Sequence, residues 1–165
     1  MGGTEILQRL QNRFGPAVLE THERLGDATA LFERGWLFET LQFCRDEPAL
    51  RFDVLMDLTA ADYLKYPGRE DGPRFEVVYH LYSLPHNHRV RLKVRVDEDD
   101  AVVPSAVELW PIANWLEREV WDMFGVRFAG HPDLRRLLMY EEFVGHPLRK
   151  DYPINRRQPL IGPAH

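Results

Sequence analysis

Cysteine is almost absent from this chain of 165 residues, in which Cys44 is the single example. One thiol cannot close a disulfide within the chain, and it cannot supply the set of cysteines that an iron–sulfur cluster or a cysteine-ligated zinc site requires. Cys44 stands on the apolar face of a predicted helix, where a thiol behaves as a small packing group. We therefore expect no metal centre in this chain.

Long apolar runs and nucleotide-binding motifs are also missing. No uncharged apolar run approaches the roughly 20 residues of a membrane-spanning helix, and the opening MGGTEILQRL has no apolar signal region. The motifs GxGxxG, GxxxxGK[ST] and GxSxG do not occur. We expect the chain to bind no cofactor itself and to be either soluble or peripheral to something else.

Positive side chains are outnumbered, with 21 Lys and Arg against 26 Asp and Glu, and the resulting formal net charge of −5 does not favour general nucleic-acid binding. The charge is uneven along the chain. Residues 1–130 have a net charge of −7, whereas residues 131–165 have a net charge of +2. Apolar residues make up 44% of the chain, which is enough for a sizeable core. The composition predicts an acidic domain followed by a mildly basic segment.

Periodicity predicts the elements of that domain. Apolar residues recur at helical spacing in TEILQRLQNRF, in GWLFETLQFCRDE and from Pro111 to Phe124, where Gly125 is a typical end. Alternation predicts strands in AVLET, ATALFE, RFDVLMDL, RFEVVYHLYS and RVRLKVRV, the third with Met56 facing inward. SAVE, which begins at Ser105, matches a helix capping box. The order predicts an α+β fold: two layers, with a mixed or antiparallel sheet of about five strands and helices on one face.

The end of the chain has a different character. Five of its 12 prolines fall in the last 35 residues, and no long periodic segment appears there. We expect residues 1–130 to form the α+β domain and residues 131–165 an extended arm with few contacts to it. Arg149, Lys150 and Tyr152 are candidate contacts of this arm with a partner that orders it.

A basic row, formed by Arg89, Arg91, Lys93 and Arg95, alternates along the last predicted strand. Phosphate or nucleic-acid binding is one interpretation. The favoured interpretation is a solvated strand face that pairs across strands with Glu76, because single-strand binders usually interleave aromatic side chains with such a row.

The stretch EREVWDMFG, residues 117–125, concentrates charge on a predicted helix. Helical spacing predicts an apolar stripe formed by Ile112, Trp115, Leu116, Val120 and Met123. Glu119 falls inside this stripe and Trp121 on the opposite side. A carboxylate in an apolar stripe requires a cation, so we expect Glu119 to be buried against Arg135 or Arg136. A large indole opposite the core indicates a second buried surface, and therefore a partner at Trp121.

Two further interpretations concern the same helix. Arg118 and Asp122 are four residues apart and are predicted to pair along it. Glu119 and Asp122 are three apart and offer a catalytic acid–base pair, the basis of an alternative in which the chain is a stand-alone enzyme. No histidine or nucleophile accompanies them, so we favour a structural or interface role.

EREVWDMFGVRFAGHPDLRRLL, residues 117–138, resembles the signature of the C subunits of NADH:quinone oxidoreductase, which are the 30-kilodalton subunit family of respiratory complex I. The signature positions are occupied by Glu117, Arg118, Glu119, Asp122, Met123, Phe124, His131, Arg135, Leu137 and Leu138. FDVLMDLTAADY and GHPLRKDYP also resemble family segments.

The resemblance implies a non-catalytic subunit in the hydrophilic arm of a proton-translocating complex, on the cytoplasmic side of the inner membrane. Its C-terminal extension is implied to lie on the D subunit of that complex, near the B subunit. FMN, iron–sulfur clusters, NADH and quinone are implied to belong to other chains. Related subunits occur in membrane-bound hydrogenases and plastid-type complexes, and the motif does not separate these. The residues expected to have an interface or structural role are Glu117, Arg118, Glu119, Trp121, Asp122, His131, Arg135, Arg136, Arg149, Lys150 and Tyr152.

Overall fold

A computed structural model of the chain describes residues 1–69 and 72–158. Residues 159–165, which close the predicted arm, lie outside the described residues. The helices are α1 (Gly3–Phe14), α2 (Leu37–Asp46) and α3 (Ala113–Phe124). The strands are β1 (Val18–Arg24), β2 (Asp27–Phe32), β3 (Val54–Asp62), β4 (Phe75–Ser83), β5 (His88–Val96), β6 (Val102–Pro104) and β7 (Arg127–Ala129).

Five strands form one mixed sheet in the order β1-β2-β5-β4-β3. The pair β2–β5 is parallel, and the other neighbours are antiparallel. The hairpin β4–β5 pairs along its whole length, from Phe75 opposite Val96 to Ser83 opposite His88. The predicted α+β class and the five-stranded sheet are confirmed. A short parallel pair, β6–β7, was not predicted, because three-residue strands carry too little alternation to be recognised.

One hydrophobic cluster joins the three helices to the inner face of the sheet. Tyr79 of β4, Phe32 of β2 and Leu10 of α1 are among its fully buried members. Cys44 of α2 is completely buried in the same cluster, as predicted, and burial raises the pKa of its thiol. Within the described residues, no helix combines the length and the apolar character needed to cross a bilayer.

The alternation of buried and exposed residues in strand β3 differs from the predicted one. Leu55, Leu58 and Ala60 are buried, whereas Met56, predicted to face inward, is 62% exposed. The register with β4 shifts between Leu55 and Asp57. A bulge of this kind inserts an extra residue and reverses the faces of the residues that follow, so strict alternation fails at this point.

The other face of the sheet carries a buried acid surrounded by cations. Glu76 is 2% exposed, and its carboxylate lies 2.8 Å from the Lys93 ammonium, 3.2 Å from Arg69 and 3.3 Å from Arg95. Burial raises the pKa of Glu76, but bonds and charge from Lys93, then from Arg95 and Arg69, outweigh it, so the pKa lies below its ordinary value. The predicted pairing of the basic row with Glu76 is confirmed for Lys93 and Arg95.

We expect Glu76→Gln to lower the free energy of unfolding by about 2–3 kcal/mol at pH 7, because three cations lose their counter-charge. Since the folded-state pKa lies below the unfolded value of 4.5, the stabilisation from the charged carboxylate is complete above pH 4.5. It is lost as the pH falls through the folded-state pKa. Urea titrations between pH 7 and pH 3 measure the convergence of wild type and variant.

The matched control is Glu20→Gln. The Glu20 carboxylate is 53% exposed and lies 3.7 Å from Arg95, so its removal should change stability by less than about 0.5 kcal/mol. An equal cost of Glu76→Gln at pH 3 and pH 7 would show that side-chain shape, and not charge, stabilises this cluster.

Candidate functional site

Helix α3 carries most of the predicted site residues, and its buried faces differ from the predicted stripe. Its inward face consists of residues four, three and four apart: Ala113, Glu117, Val120 and Phe124. Ile112 and Trp115, expected inside, are 50% and 55% exposed. The buried face of the helix is rotated relative to the predicted stripe. Two core positions in the first turns are occupied by the small side chain of Ala113 and the carboxylate of Glu117, which an apolar pattern does not mark.

The predicted burial and pairing of Glu119 is wrong. Its side chain is exposed, and no hydrogen bond or ion pair to it is found within the described part of the chain. Arg135 pairs with Asp133 at 2.8 Å, and Arg136 pairs with Asp122 at 2.5 Å. The carboxylates that the fold buries on this helix are therefore Glu117 and Asp122.

Glu117 is fully buried beneath the loop that precedes α3. Its carboxylate accepts the Ser105 hydroxyl at 2.7 Å and the Ala106 N–H at 2.6 Å, and no cation reaches it within the described residues. Burial raises the pKa of Glu117 to about 7 against the opposing effect of these two bonds. Ser105 also accepts the Val107 N–H at 3.2 Å. The predicted capping box is thus replaced by a contact between this loop and α3.

Asp122 is fully buried on the opposite flank and is surrounded by donors from the C-terminal arm. One carboxylate oxygen accepts Arg136 at 2.5 Å. The other accepts the N–H groups of Leu137, Leu138 and Met139 at 3.0, 2.8 and 2.9 Å. Burial raises the pKa of Asp122, but the Met139 N–H, Arg136 and the other two N–H groups outweigh it, so the pKa is lowered. The carboxylate anchors the start of the arm.

Arg118 does not pair with Asp122 as predicted. Its guanidinium donates instead to the carbonyl oxygens of Arg135 at 3.2 Å and Arg136 at 3.0 Å. The side chain is 7% exposed, so the guanidinium lies between the helix and the arm. Arg118 and Asp122 therefore hold the same arm segment from neighbouring turns of α3. Arg118 binds carbonyl groups of the segment, and Asp122 binds its N–H groups.

The arm also completes the C-terminus of α3. The last four carbonyls of a helix lack partners within it. Here the Asp122 carbonyl contacts His146 Nδ1 at 3.0 Å, the Met123 carbonyl accepts the Leu148 N–H at 3.1 Å, and the Phe124 carbonyl accepts Arg149 Nε at 2.6 Å. The fourth, that of Trp121, accepts the N–H of Gly125 at 2.8 Å.

Gly125 permits this approach. Its φ of 81° is left-handed, and a Cβ placed there would lie 2.6 Å from Arg149 Nη2 and 2.7 Å from the His146 ring. The predicted helix end at Gly125 is confirmed, and the residue is needed for two reasons: its backbone conformation and its contact with the arm.

A second anchor holds the arm at the end of β3. Arg74, 8% exposed, binds Asp62 at 2.8 Å and Asp151 of the arm at 2.6 Å, and its other amino group lies 2.7 Å from Glu98. Asp62 also accepts the Lys150 N–H at 2.8 Å. The two segments FDVLMDLTAADY and GHPLRKDYP therefore meet through Asp62 and the Lys150–Asp151 pair. No local pattern marks Arg74, and sequence reasoning missed it.

The remaining predicted residues lie along the arm. His131 contacts the Asn114 carbonyl through Nε2 at 3.1 Å and accepts the Asp133 N–H through Nδ1 at 3.0 Å. Trp121 is half-buried, and the His146 ring meets it edge-on at 6.4 Å. Tyr152 is half-buried and stacks on Phe143 at 5.9 Å. The expectation of few contacts between arm and domain is therefore wrong for the described part of the arm.

The chemistry of this site is that of an anchor. Glu119 is exposed, whereas Asp122 is enclosed by four donors that lower its pKa, so the two carboxylates lie in different surroundings. In the described ranges, no group of three or more His, Cys, Asp or Glu side chains is arranged to hold a metal ion.

We expect the free energy of unfolding of Glu117→Gln to rise relative to that of wild type as the pH increases. The folded-state pKa of about 7 exceeds the unfolded value of 4.5. The wild type therefore has its full stability contribution from neutral Glu117 below pH 4.5 and loses it as the pH rises through 7. Between pH 4.5 and pH 8, the difference in unfolding free energy should move toward the variant by roughly 2–3 kcal/mol.

Guanidinium unfolding of the full chain at several pH values measures this change. Glu119→Gln is the matched control, because it removes an exposed carboxylate from the same helix and should leave the unfolding midpoint close to that of wild type. A flat profile for Glu117→Gln would contradict the assignment of Glu117 as a buried group that titrates near neutrality.

Gly125→Ala should destabilise the chain and loosen the arm. Gly130, with φ of 84° and no heavy atom within 4 Å of the place a Cβ would take, is the control that isolates backbone strain. We expect Gly130→Ala to cost about 1–2 kcal/mol and Gly125→Ala about 1–3 kcal/mol more, because His146 and Arg149 must move. Thermal unfolding and the rate of trypsin cleavage after Arg149 measure both effects. Equal results for the two variants would exclude the close contact.

Comparison with known proteins places these features in a family. The family described as respiratory-chain NADH dehydrogenase, 30 Kd subunit, matches residues 31–158. The C subunit of the NADH-quinone oxidoreductase of Caulobacter vibrioides is 50% identical over 152 residues, covering 92% of this chain and 72% of that protein. The protein of the same name from Citrifermentans bemidjiense is 45% identical over 156 residues, covering 93% and 92%.

Solved structures agree with this result. A trypsin-resistant fragment of Nqo5 superposes with a TM-score of 0.69 at 34% identity, covering 79% of this chain and 98% of the fragment. A chain of an archaeal membrane-bound sulfane sulfur reductase gives a TM-score of 0.73 at 24% identity, covering 93% and 86%, and shares the fold. This chain belongs to the 30-kilodalton subunit family of the respiratory-chain NADH dehydrogenase.

Proposed function

We propose that this chain is a non-catalytic structural subunit in the hydrophilic arm of a proton-translocating NADH:quinone oxidoreductase. Its C-terminal arm docks on the D subunit of that complex, close to the B subunit and to the quinone-reducing module. Membership of the family supports a place in such a complex. The geometry of the arm supports the proposal that the chain is attached to the complex through this segment.

The observation that carries the proposal is the outward surface of the arm. Its backbone is fixed at two anchors, yet large apolar side chains point away from the body. Leu138, Val144, Leu148 and Ile154 are 55%, 57%, 52% and 105% exposed. Apolar side chains on an ordered segment form a surface suited to a partner, because little conformational entropy is lost when it docks.

Charge supports the same role. The arm has a net charge of +2 against −7 for residues 1–130, and its Lys150, Arg156 and Arg157 are exposed. Trp121, half-buried under the arm, is proposed as a further interface residue. The partner surface is then apolar with an acidic border.

Electron transfer is assigned to other chains of the complex. FMN, the iron–sulfur clusters, NADH and quinone bind elsewhere, and this chain stabilises their arrangement. Asp122, Arg118, Asp62 and Arg74 are engaged in holding the arm, and the Cys44 thiol is enclosed in the core. The chain is then peripheral, on the cytoplasmic side of the inner membrane, reaches the membrane only through its partners and binds no nucleic acid.

A double substitution, Leu148→Ser with Ile154→Ser, tests the docking of the arm. In the isolated chain both side chains are exposed, so the free energy of unfolding should change by less than about 1 kcal/mol. In a strain whose own copy is replaced by the variant, the amount of assembled complex in membranes should fall at least tenfold, because two buried apolar contacts are lost. Native gel electrophoresis and NADH:quinone activity of the membranes measure the loss.

Leu84→Ser is the matched control. Leu84 is 65% exposed in the turn between β4 and β5, away from the arm, and its replacement should leave assembly within twofold of wild type. Normal assembly of the double variant would refute docking through the arm. A loss of stability in the isolated double variant equal to its loss of assembly would show that the two side chains belong to the fold of this chain.

A further inference from the structure

The outer face of α3 forms a second apolar surface, separate from the anchors of the arm. It consists of Ile112, Trp115, Leu116 and Glu119, which are three or four residues apart and therefore adjacent on the helix. Ile112 is 50% exposed and Trp115 is 55% exposed, while Leu116 is half-buried and Glu119 is exposed. We call these four residues the α3 outer face.

Trp115 is held in a fixed position on this face. The Arg118 guanidinium carbon lies 5.0 Å from the centroid of the Trp115 ring. Arg118 is itself immobilised by the carbonyls of Arg135 and Arg136. A large, rigid, half-exposed indole is the kind of side chain that dominates the binding energy of protein interfaces.

Glu119 lies at the border of this apolar surface and has no ion-pair partner in residues 1–69 and 72–158. The arginines that could neutralise it are engaged elsewhere: Arg118 with carbonyl groups, Arg135 with Asp133 and Arg136 with Asp122. In water, Glu119 needs no counter-ion. A partner that covers Ile112 and Trp115 also removes water from Glu119, and an ionised carboxylate in such a place requires a cation.

We propose that the α3 outer face docks a segment of a neighbouring subunit in which an arginine or lysine stands among apolar side chains. The cation pairs with Glu119, and the apolar neighbours pack on Ile112 and Trp115. The inference rests on the proposed function in that the partner is a subunit of the same complex. It does not depend on docking through the arm, because the two surfaces use different residues.

To test this pairing, the gene for the chain is replaced by one encoding Glu119→Gln or Glu119→Lys, and the amount of assembled complex in membranes is measured. We expect at least a tenfold fall for Glu119→Lys and a smaller fall for Glu119→Gln, because the partner's cation is repelled in the first case and left unpaired in the second. The isolated full chain should unfold at the same denaturant concentration as wild type in both variants.

The control variants are Glu39→Gln and Glu39→Lys. Glu39 is an exposed carboxylate on α2, outside the α3 outer face, and its variants should assemble within twofold of wild type. Assembly of Glu119→Lys at the wild-type level would overturn the proposal. An equal loss for Glu39→Lys would overturn it too, because the effect would then follow net charge and not position.

A photo-reactive amino acid at position 115 identifies the partner segment in the intact complex. We expect one dominant cross-linked peptide that contains an arginine or lysine. Replacement of that basic residue by glutamate should restore assembly in the Glu119→Lys background. A cross-linked peptide without a basic residue, or no restoration by the charge exchange, would overturn the pairing. If the arm variants lose assembly while Glu119→Lys does not, this inference fails and the proposed function stands. If Glu119→Lys loses assembly while the arm variants do not, docking through the arm fails and this inference stands.

Discussion

The C-terminus of α3 is the constraint on which the arrangement of the arm depends. A helix that ends inside a protein leaves carbonyls without partners, and this one also buries the charged side chain of Asp122. Both requirements are met by one segment, which wraps around the helix end and supplies N–H groups, a guanidinium and an imidazole. The arm thus satisfies polar groups of its own domain, in addition to any contact it makes with another chain.

Two buried carboxylates on one helix behave oppositely because their donors differ. Glu117 receives two neutral donors and no cation from the described residues, so burial prevails and its pKa rises to about 7. Asp122, only five residues later, receives three N–H groups and Arg136, so its pKa falls. Residue type and burial alone do not decide the charge state of a core acid; the number and charge of the groups that bind it do.

Periodicity was sufficient to predict the sheet, the hairpin and the end of α3 at Gly125, because these depend on local spacing. It failed where distant residues decide. The bulge at Met56 shows no local signal, Arg74 meets Asp151 across 77 positions of sequence, and the rotation of α3 follows from a core that accepts Glu117 through Ser105. A buried acid on α3 does pair with a cation, as expected, but that acid is Asp122, paired with Arg136, and not Glu119.

Many of the bonds that fix the described part of the arm are made by its main chain. The N–H groups of Leu137, Leu138 and Met139 bind Asp122, and those of Leu148 and Lys150 bind the Met123 carbonyl and Asp62. Main-chain donors are present whatever side chain they carry, proline excepted. These main-chain bonds fix the path of the segment together with the side chains of Arg136, His146, Arg149 and Asp151, whereas other side chains face outward. An outward side chain can therefore be replaced without removing any of the bonds that hold the segment to its own domain.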